Sequence, residues 1–171
     1  HIGIHQYARH AIERNKSVHE DNPDFEGTGS GMTDKEAKEI LKKYRGTGIA
    51  RFAKEFDNKI VKQRLNILRD GGLITQETYD LFTKDSPYKN YVPLKGTSEK
   101  KTGTGIGTSG FSIVGKDIRR KRGRNSRADN PFVQALVDYE MAIVRAEKNS
   151  VSQKFYLFAL ENPSNLWEAG G

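Results

Sequence analysis

The chain contains no cysteine. That excludes a disulfide-stapled scaffold, a Cys-ligated zinc or iron–sulfur centre, and thiol chemistry. No apolar run approaches the ~20 residues of a membrane-spanning helix, so no transmembrane segment is expected. The first twenty residues are polar and carry four histidines, unlike the apolar core of a secretory leader. The phosphate-binding G-x-x-x-x-G-K-[ST], the zinc-binding H-E-x-x-H, the nucleophile elbow G-x-S-x-G and the calcium loop D-x-D-x-D-G are all missing. Glu140 and Glu147 stand two helical turns apart, but no histidine follows His19, so the carboxylate–histidine pattern of a di-metal bundle fails. No catalytic residue, cofactor or metal is therefore expected. What remains is 171 residues, 35 % hydrophobic and 30 % charged, enough for one domain with a modest core. The chain starts at His1 rather than Met and stops at Gly170-Gly171, which reads as a piece of something longer.

Charge of one sign is concentrated in one place. The net charge is +7, and residues 116–127 hold seven basic side chains against one acid, Asp117. These are Lys116, Arg119, Arg120, Lys121, Arg122, Arg124 and Arg127. Such a cluster can displace counterions from a phosphate backbone. It lacks interleaved aromatics, so base stacking is poorly supported. The other reading pairs the cations with protein carboxylates, either Glu140 and Glu147 or acids of a neighbouring chain. Glu140, Arg145, Glu147, Lys148 and Asn149 form a polar patch on an otherwise apolar helix, suited to such ionic contact.

The periodicity predicts a mostly α fold of about five helices, with one or two short strands and a long Gly/Thr/Ser-rich loop. Ile4, Ala8, Ala11 and Ile12 mark a helix over 2–18. Thr33 and Glu36 make a capping box for a helix over 34–44, ended by Gly46. Ile49, Phe52, Ala53, Phe56 and Ile60, with Leu65 and Leu68 beyond, mark another over 48–70, stopped by Gly71-Gly72. Thr75 caps a short helix through Phe82. Tyr91-Val92-Pro93-Leu94 suits an extended segment or edge strand, and Phe111-Ser112-Ile113-Val114 a second strand. Asn130 and Pro131 open a last helix of about 30 residues, with a bend expected near Asn149-Ser150. The organisation expected is a helical part over 1–94, a flexible linker over 95–110, and a basic segment plus long helix over 111–171. Eleven of the sixteen residues in 95–110 are Gly, Ser or Thr, which favours that linker.

Two further patterns invite chemistry. Gly105-Ile106-Gly107-Thr108-Ser109-Gly110 matches G-x-G-x-x-G. It follows a polar linker and precedes β-branched residues, whereas a dinucleotide site needs a strand before and a helix after. A flexible loop is the preferred reading, a phosphate cradle the other. His1 and His5 share a helical face, but no third ligand is placed near them.

Several stretches resemble bacteriophage large polyvalent proteins. They are Tyr7-Ala8-Arg9-His10-Ala11-Ile12-Glu13-Arg14-Asn15, then Gly29-Ser30-Gly31-Met32-Thr33, Gly72-Leu73-Ile74, Tyr91-Val92-Pro93-Leu94, Gly123-Arg124-Asn125-Ser126 and Arg145-Ala146-Glu147-Lys148-Asn149. They come in the family's order and cover nearly the whole chain. The resemblance implies an associated, non-catalytic module of a very large internal virion protein, carried in the capsid and delivered into the host cell with the genome. Its implied partners are other virion proteins or neighbouring segments of the same large chain. A nucleic-acid-binding module using residues 116–127 is the alternative.

Overall fold

The computed structural model describes residues 1–86, 88–96 and 123–164. The fold is mostly helical, and no strand occurs among the described residues. In order come α1 (Ile2–Asp21), α2 (Asp34–Tyr44), α3 (Gly48–Phe56), a π-helical turn (Asp57–Val61), α4 (Lys62–Asp70), α5 (Gln76–Thr83) and α6 (Pro131–Glu161). α3, the π turn and α4 form one continuous helical rod over the predicted 48–70.

The helix starts follow local chemistry. Thr33, Thr47 and Thr75 each accept a backbone N–H three residues on, from Glu36, Ala50 and Thr78. Each hydroxyl thus satisfies one of the donors a helix start leaves free. Asn130 does the same for Phe132 N, and Pro131 supplies a first helical residue with no N–H to satisfy. The Glu36 carboxylate was expected to reach back toward Thr33; it binds Arg127 Nη1 at 2.6 Å. α4 ends in a paired cap: Gly72 N donates to Arg69 O and Leu73 N to Leu68 O. Gly72 takes φ +67, where a side chain would be strained. Gly71 is fixed by packing instead, since a Cβ there would stand 2.5 Å from Ala146 Cβ.

α1 is the central element. It packs against α2, α3 and α6, and α6 also lies along α4 and the π turn. The core holds Tyr7, Ala8 and Ala11 of α1, Met32, Ala37, Val92 and Leu94. Residues 91–94 contribute as expected to an extended segment, but not as a strand. Pro93 has no N–H for a ladder, and the neighbouring polar groups pair elsewhere. Asn90 N donates to Glu13 Oε2, Leu94 O accepts from Arg124 Nη1, and Lys95 O accepts from Asp129 N. The expected strand over 111–114 and the glycine motif over 105–110 lie outside the described residues. So does all of the expected linker except Lys95 and Gly96. Those two are held: Lys95 Nζ pairs with Asp138 at 2.5 Å, and Gly96 is buried beside Arg124. At Asn149-Ser150, where the length of the helix suggested a bend, α6 runs on as one helix.

Candidate interaction surface

Two parts of the molecule carry unusual chemistry: a junction of polar groups around α1, and the outward face of α6. The junction gathers residues from four stretches of the chain: 7–15, 29–33, 91–94 and 123–126. Tyr7 Oη donates to Ser30 O at 2.7 Å and accepts from Ala128 N at 3.0 Å. Burial pushes the Tyr7 phenol above its ordinary pKa, partly offset by the Ala128 N–H. Asn15 Nδ2 donates to Met32 O, and Asn15 Oδ1 accepts from Ser30 N. Arg124 N donates to Gly29 O at 3.0 Å. Its buried guanidinium donates to Leu94 O, Ser126 O, Ser126 Oγ and Arg127 O. Gly31 closes the junction at φ +84, and a Cβ there would run into the Ser126 carbonyl. The loop 29–31, the segment 91–94 and the turn 123–128 are thus tied to one another through Tyr7, Asn15 and Arg124.

This changes how the basic cluster is read. Lys116, Arg119, Arg120, Lys121 and Arg122 lie outside the described residues. Arg124 is buried on carbonyl oxygens, so its charge is directed inward. Arg127 pairs with Glu36 rather than with Glu140 or Glu147, the anions expected from the sequence. The polar patch on α6 also separates. Asn149 Nδ2 turns inward and donates to Gly71 O at 2.7 Å, tying α6 to the end of α4. Arg145 is half-buried, while Glu140, Glu147 and Lys148 are exposed on the outer side. An inward-facing Asn and outward-facing acids cannot act as one contact.

A second polar group was not singled out from the sequence. Asp57, in the π turn, is buried and accepts from Gln6 Nε2 at 2.5 Å and from the Arg9 guanidinium. Burial pushes the Asp57 carboxyl above its usual pKa, while the Arg9 charge and the Gln6 amide pull it down. Glu13 holds Asn90 by both backbone and side-chain amides. His10 is fully buried between the rings of Tyr88 and Tyr91, at 4.9 and 5.3 Å. Burial, assisted by Arg14, holds its pKa at about 3, so it is neutral near pH 7. No group of three or more His, Cys, Asp or Glu able to hold a metal occurs among the described residues.

The α6 face is the stronger candidate for function. The helix buries its small side, with Ala135 and Ala142 inward. Phe132 packs on Phe52 and Phe56, but most of the helix's other large apolar residues are exposed. Among the described residues, twelve of the fifteen exposed large hydrophobics lie on α6, and nine of those share one side of the helix, which makes them one surface rather than scattered positions. Exposure reaches 61 % at Val151 and 64 % at Phe155. A helix apolar on most of its circumference is ordinarily covered on most of it, by protein or by lipid. No helix among the described residues is long and apolar enough to cross a membrane. Comparison of the chain with protein-family models, curated proteins and solved structures finds no match.

Proposed function

We propose that this chain is a non-catalytic structural and interaction module that docks through the outward face of α6. The observation that carries this reading is the inverted helix: alanines toward the body, valines, leucines and aromatics toward solvent. Burying such a face releases about 25 cal/mol per Å² of apolar surface, so a covering partner gains more here than anywhere else described. The resemblance to bacteriophage large polyvalent proteins gives the setting: an internal virion protein that leaves the capsid with the genome, its partners other virion chains or neighbouring segments of the same chain. The buried polar junction suits that role, because it locks the loops around α1 and presents α6 on a rigid body.

The test is Val144→Asp, alone and with Val151→Asp, in the intact virion protein. Both positions are exposed, so the fold is expected to survive. Incorporation of the protein into the virion should be lost. Normal incorporation with the double variant would overturn the docking role. The nucleic-acid reading would rest on Lys116, Arg119, Arg120, Lys121 and Arg122, since Arg124 and Arg127 are engaged within the chain. It would take over if affinity for duplex DNA fell steeply with salt and those five residues set the slope.

A further inference from the structure

We infer that the occupant of the α6 face is α6 of a second copy of this chain, running antiparallel. The inference rests on the docking role proposed above and names its partner. Val137, Met141, Val144, Val151, Phe155 and Phe158 follow alternating steps of four and three once Lys148 is counted in sequence between Val144 and Val151. That is the spacing of a coiled-coil seam, and it recurs for about three heptads on the exposed side. A seam of this kind is made for another helix rather than for a globular surface. From Val137 to Phe158 it runs about 32 Å at 1.5 Å per residue.

The charges choose the partner and its direction. Lys148 interrupts the seam, with Glu140, Glu147 and Lys154 along one flank. A parallel pair would set the two Lys148 ammonium groups at the same level. It would also need Arg145 to answer Glu140 across the pair, and Arg145 lies on the half-buried side. An antiparallel pair centred near Ala146 avoids both. Val144 then meets Lys148 of the partner subunit, Met141 meets the partner's Val151, and Val137 meets the partner's Phe155. Lys154 comes beside the partner's Glu140. The two Lys148 side chains are displaced along the axis by about 6 Å, four residues at 1.5 Å each.

Area agrees with this arrangement. A stable association needs about 800 Å² from each partner. Phe155 and Phe158 are each more than half exposed and present on the order of 200 Å², at ~200 Å² per aromatic side chain. Seven aliphatic and Met residues on the same side of α6 extend that surface. Antiparallel pairing lays the aromatic end of each helix on the aliphatic end of the other, covering the region where each copy's own body covers least.

The absence of cysteine makes the test direct. The 171-residue chain should sediment at twice its 19.3 kDa mass. Val151→Asp should return it to a monomer with unchanged helix content; Val144→Asp provides a second variant should the first disturb the helix. Mixing Val137→Cys chains with Phe155→Cys chains under mild oxidation should give the mixed disulfide dimer, and neither variant alone should cross-link. Self-cross-linking of Val137→Cys would mean parallel helices and overturn the inference. A chain that stays monomeric at high concentration would overturn it too. If Val144→Asp nevertheless abolished virion incorporation, the docking role would stand with a different partner; if incorporation were also normal, both would fall.

Discussion

α1 and α6 reverse the usual arrangement in opposite directions. α1 buries His5, Gln6, His10, Asn15 and Ser17, whereas α6 exposes a dozen large apolar side chains. Three polar groups of α1 are answered inside the chain, Gln6 by Asp57, Asn15 by the loop 30–34 and Tyr7 by Ser30 and Ala128, while both ring nitrogens of His10 have no hydrogen-bond partner among the described residues. The apolar groups of α6 are left to solvent. The contrast separates two tasks. Polar burial specifies one arrangement of the loops, because each group must find its particular partner. Apolar exposure specifies nothing inside the chain and leaves surface for an outside partner.

The contrast can be broken from the inside first, where the effects are largest. Asp57→Ala leaves the Arg9 guanidinium buried without its carboxylate. The expected loss is about 3–5 kcal/mol of unfolding free energy, as for other broken buried pairs. Chemical denaturation measures it, and a loss below about 1 kcal/mol would mean Arg9 finds water instead. Arg124→Ala removes a charged donor from several carbonyls and should cost about 3 kcal/mol. Arg127→Gln, at an exposed ion pair, should cost under about 1 kcal/mol. Equal effects of the two would erase the distinction drawn between the inward and outward members of the basic segment.

Acid should act through His10. Its folded pKa is about 3 against an unfolded value near 6.5, so between those limits the unfolded chain binds a proton the folded chain refuses. Stability therefore falls as pH falls through this window, by roughly 1.4 kcal/mol per pH unit. His5, also lowered by burial, adds in the same direction. Asp57 opposes it at the acid end, since its raised pKa means the folded state takes up that proton first. His10→Phe should flatten the pH dependence of the melting temperature between pH 4 and 6; an unchanged slope would show that His10 is not its source. Asn149→Ala, which frees one bond to Gly71, should cost about 1 kcal/mol. The smallest expected effect is on α6. Val144→Asp should move the monomer's stability by no more than about 0.5 kcal/mol. A large destabilisation would mean that the chain itself covers this face.

Much of the helical plan could be read from short stretches. The Thr33 and Thr75 caps, Asn130-Pro131 and Gly71-Gly72 act within four residues of themselves and lie where the spacing placed them; the Thr47 cap was not singled out. The Tyr-Val-Pro-Leu segment was legible as extended but not as a core element, because its covering partners Tyr7, Ala8 and Ala11 lie some eighty residues away. The π turn was not legible in the apolar stripe, where Phe56 to Ile60 and Val61 to Leu65 are ordinary four-residue steps, and Asp57 within it looked like any acid in a helix. The basic segment was legible as a charge cluster, and its composition could not distinguish Arg124, which turns inward, from Arg127, which turns out. The α6 stripe looked like one broad apolar face; which side would be buried was not written in it.

The sequence by itself determined where helices begin and end, since capping, glycine conformation and proline geometry are interactions between near neighbours. It determined the positive charge, the lack of thiol chemistry and the lack of an apolar segment long enough for a membrane. Only the tertiary structure decided that Arg124 pins three loops, that Asp57 meets Arg9, and that α6 turns its alanines inward. Those outcomes depend on contacts between residues about thirty to a hundred positions apart. A helix rich in both Ala and Val can bury either side, and the close approach of Gly71 to Ala146 admits only the small one.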